Sequence, residues 1–378
     1  MRTVAVVGTS LAGLRAAQEL RAQGFDGRLV MIGAEPPYDR PPLSKDFLLG
    51  KVSADDIALA GQDDLDALAA EWRLGVRAEK LGREGVTLGD GTTIAADGYV
   101  IATGAVARTL DAARSLAGVH TLRTLEDALA LKQALAAGPS AVVVIGAGFI
   151  GAEVASACRL LGHEVSVIEA MPVPLAPVLG ARMGAVCGEL HAENDVRLIA
   201  GVPVAGFTGT GRVTGVRLAD GREIRADLVV AGVGARPATE WLTGSGLAVD
   251  DGVLVDSGCV TANPRVIAVG DVARYRCPLR GVRVRAEHWT AAGEQPGVAV
   301  SNLLAGSTVT HFARHGYFWS DQYGRRLQFA GVATEDVRIA EGDTASKRFV
   351  ATYHRGDVLT GVFAIDSPRP FTRLRRAL

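Results

Sequence analysis

The sequence predicts an α/β protein that uses one strand–turn–helix unit twice and ends in a smaller α+β domain. Two stretches carry the first part of that statement: "VAVVGTSLAGLRAAQEL" at 4–20 and "AVVVIGAGFIGAEVASACRLLG" at 141–162. Each passes from an apolar run through a glycine turn into a helical pattern. The third observation is a change of texture near residue 310. There "HFARHGYFWSDQYGRRLQFAGVA" brings aromatics, hairpin signals and alternating polarity.

A chain of 378 residues has room for two or three domains with a sizeable core. Its 48% hydrophobic and 21% charged residues suit an ordinary globular protein, and a net charge of −1 gives no argument for a nucleic-acid partner. The first strand starts almost at Met1 without a basic and apolar leader, and no apolar run approaches a membrane span. A cytoplasmic protein is expected, with neither membrane nor nucleic acid among its partners, as a monomer or homodimer. The four cysteines, Cys158, Cys187, Cys259 and Cys277, form no C-x-x-C pair and have no zinc-ligand spacing, so inert thiols and no metal site are expected.

Taken in order, "VAVVG" is the first strand, "LAGLRAAQELRAQG" a helix closed by Gly24, and "RLVMIG" the second strand. Prolines forbid regular structure through "PPYDRPPLSKDFLLG" at 36–50, which should be a rigid loop with a short helix behind it. Short strands follow from 72 to 104, with a hairpin at "GDGTTI". A helix over 124–137 starts from Thr124, with Asp127 three positions on as in a capping box. The second strand–turn–helix and the strand "EVSVIEA" come next, then a β-rich section over 196–235 and a strand pair over 253–269.

Gly146, Gly148 and Gly151 fit G-x-G-x-x-G between strand and helix. The first glycine permits the turn, the second lets backbone approach a pyrophosphate, and the third lets the helix pack on the sheet. Phosphates then meet the free N–H groups of Phe149, Ile150 and their neighbours at the positive end of the helix. Glu169, about 20 residues on, is placed to accept hydrogen bonds from an adenosine ribose and to repel a 2′-phosphate, which favours NAD over NADP. The first copy reads Gly8, Ser10, Gly13, with serine in the middle position and Glu35 as its ribose acid. Two cradles mean two dinucleotides, and the expected pair is a bound FAD and a visiting NADH.

Beyond the cradles, "PPYDRPPLSK", "IATGA", "LRTLEDA", "VIAVGDVA", "EHWTAAGEQ" and "YFWSDQYG" follow in that order. With the cradles they resemble, nearly end to end, FAD-dependent NADH:ferredoxin reductases of the putidaredoxin reductase and aromatic-ring dioxygenase reductase type. The resemblance implies a glutathione-reductase-like fold: an FAD domain from 1–108 and 236–305, an NAD domain at 109–235, and a C-terminal α+β domain at 306–378. It implies that Ala12 lines the FAD pyrophosphate, and that Arg40 and Lys45 meet FAD phosphate and isoalloxazine. Ala78 would lie by the adenine, Arg123 near the flavin, Asp271 on the ribityl chain and Trp289 beside the isoalloxazine. Glu153 and Glu287 would flank the nicotinamide, Gly234 would lie against the dinucleotide, and Trp319 would stand near the flavin on the ferredoxin side. Solvated-loop, surface-helix and core readings compete for Arg40 and Lys45, for Glu153 and for Trp319 respectively. Pro296 is expected in the first turn of its helix, or else to kink it.

Relatives with two cradles often pass electrons to a cysteine after the first βαβ unit. Here "YDRPPLSKDF" offers Ser44 and Lys45 and no thiol. The implied activity is therefore that of a ferredoxin–NAD⁺ reductase supplying a monooxygenase or ring-hydroxylating dioxygenase. An NADH oxidase or quinone reductase, and a redox-sensing flavoprotein like apoptosis-inducing factor, share the same cradles. The arginine-rich segments 274–285 and 369–376 are candidates for steering an acidic ferredoxin.

Overall fold

Both glycine turns do form the hub of a five-stranded parallel sheet in the computed structural model, which describes residues 1–113, 116–138 and 140–378. The described chain divides into two units, the first comprising Met1–Asp39, Ile57–Val106 and Arg236–Gly316. Its parallel sheet runs in the order Val266–Ala268, Gly98–Ile101, Thr3–Val7, Arg28–Gly33, Ala70–Leu74. Val4, Ala5, Val6 and Val7 are buried, as the central strand of a sheet covered on both faces requires. Helix Leu11–Ala22 lies beside helix Trp289–Ala305. Gly24 closes the first helix in the left-handed conformation, with Phe25 N–H bonded to the Leu20 carbonyl as in a Schellman end.

The second unit comprises Arg40–Asp56, Ala107–Ala235 and Tyr317–Leu378. Its parallel sheet is ordered Arg197–Ala200, Glu164–Glu169, Ala141–Ile145, Leu228–Ala231, Val119–His120. Helix Leu125–Leu135 starts with the expected capping box: Asp127 N–H donates to Thr124 Oγ1, and Thr124 N–H to Asp127 Oδ2. The C-terminal part is a five-stranded antiparallel sheet, Tyr317–Gln322, Arg325–Gly331, Val358–Ile365, Arg348–Arg355, Asp336–Asp343, followed by helix Pro368–Arg375. Phe329, Phe349, Tyr353 and Phe363 of that sheet bury against Leu179, Met183 and Leu190 of helix Ala176–Glu193.

Three local expectations are corrected. The helical turn of the Pro-rich segment begins at its prolines: Pro41–Ser44 is a 3₁₀ turn with proline in its first positions, where no N–H is needed. The strands Val253–Val255 and Val266–Ala268 are not a pair. The former bonds Ala273–Arg276 and the latter Gly98–Ile101, because distant strands take their backbone groups first. Pro296 is not in the first turn. It lies well inside helix Trp289–Ala305, which runs on through it.

Candidate functional site

The two cradles share the geometry of their first and third glycines. Gly8 (φ 111°) and Gly146 (φ 100°) take a backbone conformation that L side chains avoid. A Cβ there would lie 2.1 Å from the Ala102 carbonyl oxygen and 2.3 Å from that of Gly232. At Gly13 and Gly151 a Cβ would meet the Gly8 and Gly146 carbonyl oxygens at 1.7 and 2.0 Å. The first and third glycines are thus explained by the turn and by helix–strand packing within the protein itself.

The middle position is different. Gly148 has φ −72°, open to any residue, and a Cβ on it would meet nothing within 4 Å. Neither strain nor packing keeps this residue small, so the space in front of it fits a group that comes close to the backbone. Ser10 holds the same place before helix Leu11–Ala22, at φ −78°, and its hydroxyl makes no capping bond to that helix. The residues present therefore fit two phosphate-bearing ligands at helix N-termini, where the amides of Leu11 to Gly13 and of Phe149 to Gly151 have no partner four residues back. Ile150, half exposed beside Gly148, leaves that end open.

The acids at the second strands are oriented in different ways. Glu169 ends its strand; its Oε2 accepts Ala147 N–H at 2.8 Å and its Oε1 Met171 N–H at 2.8 Å. It is thereby fixed at the mouth of the second cradle with lone pairs left over. Glu35 lies just beyond strand Arg28–Gly33; its Oε1 accepts the Tyr38 hydroxyl at 2.8 Å and its carbonyl the Thr9 hydroxyl at 2.6 Å.

The remaining candidates of the first unit sit at element ends. Asp271 is in the 3₁₀ turn Gly270–Val272, and Gly270 N–H is held by Gln295 Oε1 at 2.7 Å. Ala78 opens a short strand and is partly buried. Trp289 is 40% exposed, with Nε1 donating to Asp39 Oδ1 at 2.7 Å. Glu287 is exposed and paired with Arg285, which also meets Asp251 at 3.1 Å.

In the second unit Arg40 Nη1 donates to the Arg123 carbonyl at 2.8 Å, and Arg123 N–H donates to Asp127. Lys45 Nζ pairs with Glu153 at 2.8 Å, the lysine side chain being 19% exposed and the glutamate 3%. These values exclude a solvated loop position for Lys45 and a surface-helix position for Glu153. Glu153 Oε2 also accepts the Ser44 hydroxyl, while Oε1 accepts Ser320 Oγ at 2.7 Å and Asp321 N–H at 3.3 Å. Motif matching alone missed Ser320 and Gln322. The signal was there, since both sit on the inward side of an alternating strand, where polar residues are costly.

Gly234 has φ 93°, so its own backbone requires glycine. Trp319 is partly exposed rather than core, stacked on Tyr317 at 6.1 Å with the Arg326 guanidinium 5.5 Å over its ring. All four cysteines are buried and unbridged, and burial pushes the thiols of Cys158, Cys187 and Cys259 up to about 12. Among the described residues no group of His, Cys, Asp and Glu is arranged to hold a metal, and no helix is long and apolar enough to cross a membrane.

The profile of the pyridine nucleotide-disulphide oxidoreductase family matches residues 2–296, and that of the reductase C-terminal family matches 317–378. The chain belongs to this oxidoreductase family. Within it, the chain is a member of the FAD-dependent ferredoxin reductase group. It is 36% identical to rhodocoxin reductase of Rhodococcus erythropolis, over 100% of this chain and 89% of that protein. It is 39% identical to the ferredoxin–NAD⁺ reductase component of an anthranilate 1,2-dioxygenase system of Burkholderia cepacia, over 93% and 87% of the two. Among solved structures, a covalent putidaredoxin reductase–putidaredoxin complex superposes with TM-score 0.93 at 31% identity, over 99% of this chain and 92% of the other.

Proposed function

We propose that this chain takes electrons from NADH and passes them, through a bound FAD, to a ferredoxin that serves a monooxygenase or a ring-hydroxylating dioxygenase. The balanced reaction is NADH + 2 oxidised ferredoxin → NAD⁺ + H⁺ + 2 reduced ferredoxin. One observation carries the choice of acceptor. The Pro-rich segment holds Ser44 and Lys45, both bound to a buried carboxylate, where an internal acceptor would need a thiol. When bound, the flavin accepts a hydride as a two-electron unit and releases electrons one at a time.

The residues of the chain bind, orient and neutralise. In this reading the FAD domain is 1–108 with 236–305, the NAD domain 109–235 and the C-terminal domain 306–378. Gly8, Ser10, Ala12 and Gly13 would hold the FAD pyrophosphate, with Glu35 at its ribose, Ala78 at the adenine, Asp271 along the ribityl chain, and Arg40, Lys45, Arg123 and Trp289 around the flavin. Gly146, Gly148, Phe149, Ile150, Gly151, Glu169 and Gly234 would hold NADH, with Glu153 and Glu287 by the nicotinamide. Lys45 supplies a positive charge that stabilises negative charge developing on the ring system. Trp319 faces the acceptor. A cytoplasmic location fits four unbridged, buried thiols.

The relative named as the ferredoxin–NAD⁺ reductase component of an anthranilate 1,2-dioxygenase system supports the acceptor class. The test is anaerobic: titrate the yellow holoprotein with NADH, then add ferredoxin, quinone or oxygen separately and follow reoxidation. Reoxidation by ferredoxin at least about tenfold faster than by quinone or oxygen is expected, since a protein acceptor is steered by charge. A protein that binds no FAD, or whose reduced form ignores ferredoxin, overturns the proposal.

A further inference from the structure

Glu153, on the cradle helix of the second unit, gathers donors from two other segments of that unit: the Pro41–Ser44 turn with Lys45 at its end, and the first strand of the C-terminal sheet. Ser44 Oγ and Lys45 Nζ serve Oε2, and Ser320 Oγ and Asp321 N–H serve Oε1. Ser320 Oγ in turn accepts Gln322 Nε2 at 3.0 Å. Ser44, Glu153, Ser320 and Gln322 are all buried, at 2%, 3%, 0% and 1% exposure. Strand Tyr317–Gln322 alternates, and its inward positions are Phe318, Ser320 and Gln322. An apolar residue at 320 would spare the strand the cost of burying a hydroxyl, so strand packing alone does not account for serine there.

The carboxylate accounts for it. A buried anion divides its charge among its donors, and each neutral donor leaves less of that charge to act against the one cation in the network. The cation is Lys45, and the neutral donors are Ser44, Ser320 and the Asp321 amide. We propose that Ser320 is a positioning residue: acting through Glu153, it sets where the Lys45 ammonium lies and how much of its charge remains for the bound flavin. A residue of the C-terminal sheet thereby tunes the cofactor through Glu153. This inference rests on the reading of Lys45 as the flavin-side cation.

The test uses the holoenzyme and measures the midpoint potential of bound FAD by anaerobic dye titration, together with the rate of reduction at saturating NADH. Ser320→Ala is expected to retain FAD, to shift the potential to more negative values and to slow reduction about fivefold, a fraction of one hydrogen bond to a charged group. Neither readout depends on NADH affinity, since the potential is taken without NADH and the rate at saturation, so a change in KM transmitted through Glu153 does not enter. In a Glu153→Gln background the same substitution should shift neither quantity further, since the charge it redistributes is gone. Ser320→Cys, a weaker donor of similar volume, should move both in the same direction and serves where the alanine variant does not fold.

An unchanged potential and reduction rate in either variant, or effects that simply add to those of Glu153→Gln, overturn the inference even if melting temperature falls. A protein that binds no FAD, or is not reduced by NADH, overturns the proposed function instead. The two failures are therefore distinguishable.

Discussion

Gly148 separates what a glycine does for the fold from what it does for a ligand. Its φ is ordinary and no atom stands within 4 Å of a Cβ placed on it. Gly148→Ala should change stability by less than about 1 kcal/mol, the scale of an N-cap substitution. It should nevertheless weaken NADH binding about tenfold or more, because the methyl group occupies the pyrophosphate approach. Gly146→Ala is the control. It places a Cβ 2.3 Å from a carbonyl oxygen at positive φ and should cost about 1–3 kcal/mol or more in a melting experiment. Equal stability losses in the two variants would show that the middle glycine is structural. Glu169, held by the Ala147 and Met171 amides, sets the nucleotide preference in the same reading. Glu169→Ala should lower the ratio of kcat/KM for NADH to that for NADPH by about tenfold, as loss of a ribose acceptor and of repulsion toward a 2′-phosphate predicts; an unchanged ratio removes the reason for assigning NAD. At this scale the sequence made both glycine turns readable, since their geometry follows from residue type and spacing. Ser320 and Gln322 were not readable, because only the folded chain brings Ser320 to a carboxylate more than 160 positions away, with Gln322 donating to Ser320.

Elements were legible where local chemistry decides them. Helix Leu125–Leu135 follows from its capping box, with aspartate doing what glutamate or glutamine usually does. Asp127→Ala removes acceptors for both the Thr124 and Arg123 amides, and should lower stability by about 1 kcal/mol in urea unfolding. Elements misread locally failed for a stated reason. Pro41 and Pro42 begin a helical turn instead of delaying one, since the first turn has no use for their missing N–H groups. Pro296 lies well inside its helix, flanked by buried Gln295 and Ala299, so tertiary packing holds a residue that propensity would expel. Helix Ala176–Glu193 carries a non-helical Gly180 and had no clear local signature; its place is fixed by the aromatic face of the C-terminal sheet. The arginine-rich segments are partly consumed by the fold. Arg274 and Arg285 are paired with acids, Arg283 donates to the Val255 carbonyl, and Arg373 meets Glu341. A docking role for these segments predicts that kcat/KM for ferredoxin falls with added salt and with Arg280→Glu combined with Arg283→Glu. Insensitivity to both excludes it.

At the level of the whole molecule, a buried histidine makes stability depend on acid. His191 is buried on helix Ala176–Glu193 with Nδ1 2.7 Å from the Tyr323 hydroxyl, and desolvation lowers its pKa to about 4. The unfolded chain takes up that proton near 6.5, the folded one near 4. Stability is therefore independent of this group above pH 6.5, falls as pH drops from 6.5 to 4, and levels off below. The loss is on the order of 3 kcal/mol over that window. His191→Gln should flatten the slope of unfolding free energy against pH between 6.5 and 4; an unchanged slope would assign the acid sensitivity elsewhere.

The sequence by itself determined the two glycine turns, the acids that follow their second strands, the absence of a thiol in the Pro-rich segment and the change to an antiparallel C-terminal domain. Each of these depends on residue type and short spacing, and local sterics and hydrogen bonding act over just that range. Only the tertiary structure decided that Val253–Val255 and Val266–Ala268 belong to different sheets, that Pro296 stays helical, and that Glu153 is a buried junction for Ser44, Lys45 and Ser320. Those outcomes depend on which distant groups compete for the same backbone, volume or charge, and that competition is settled only when the chain has folded.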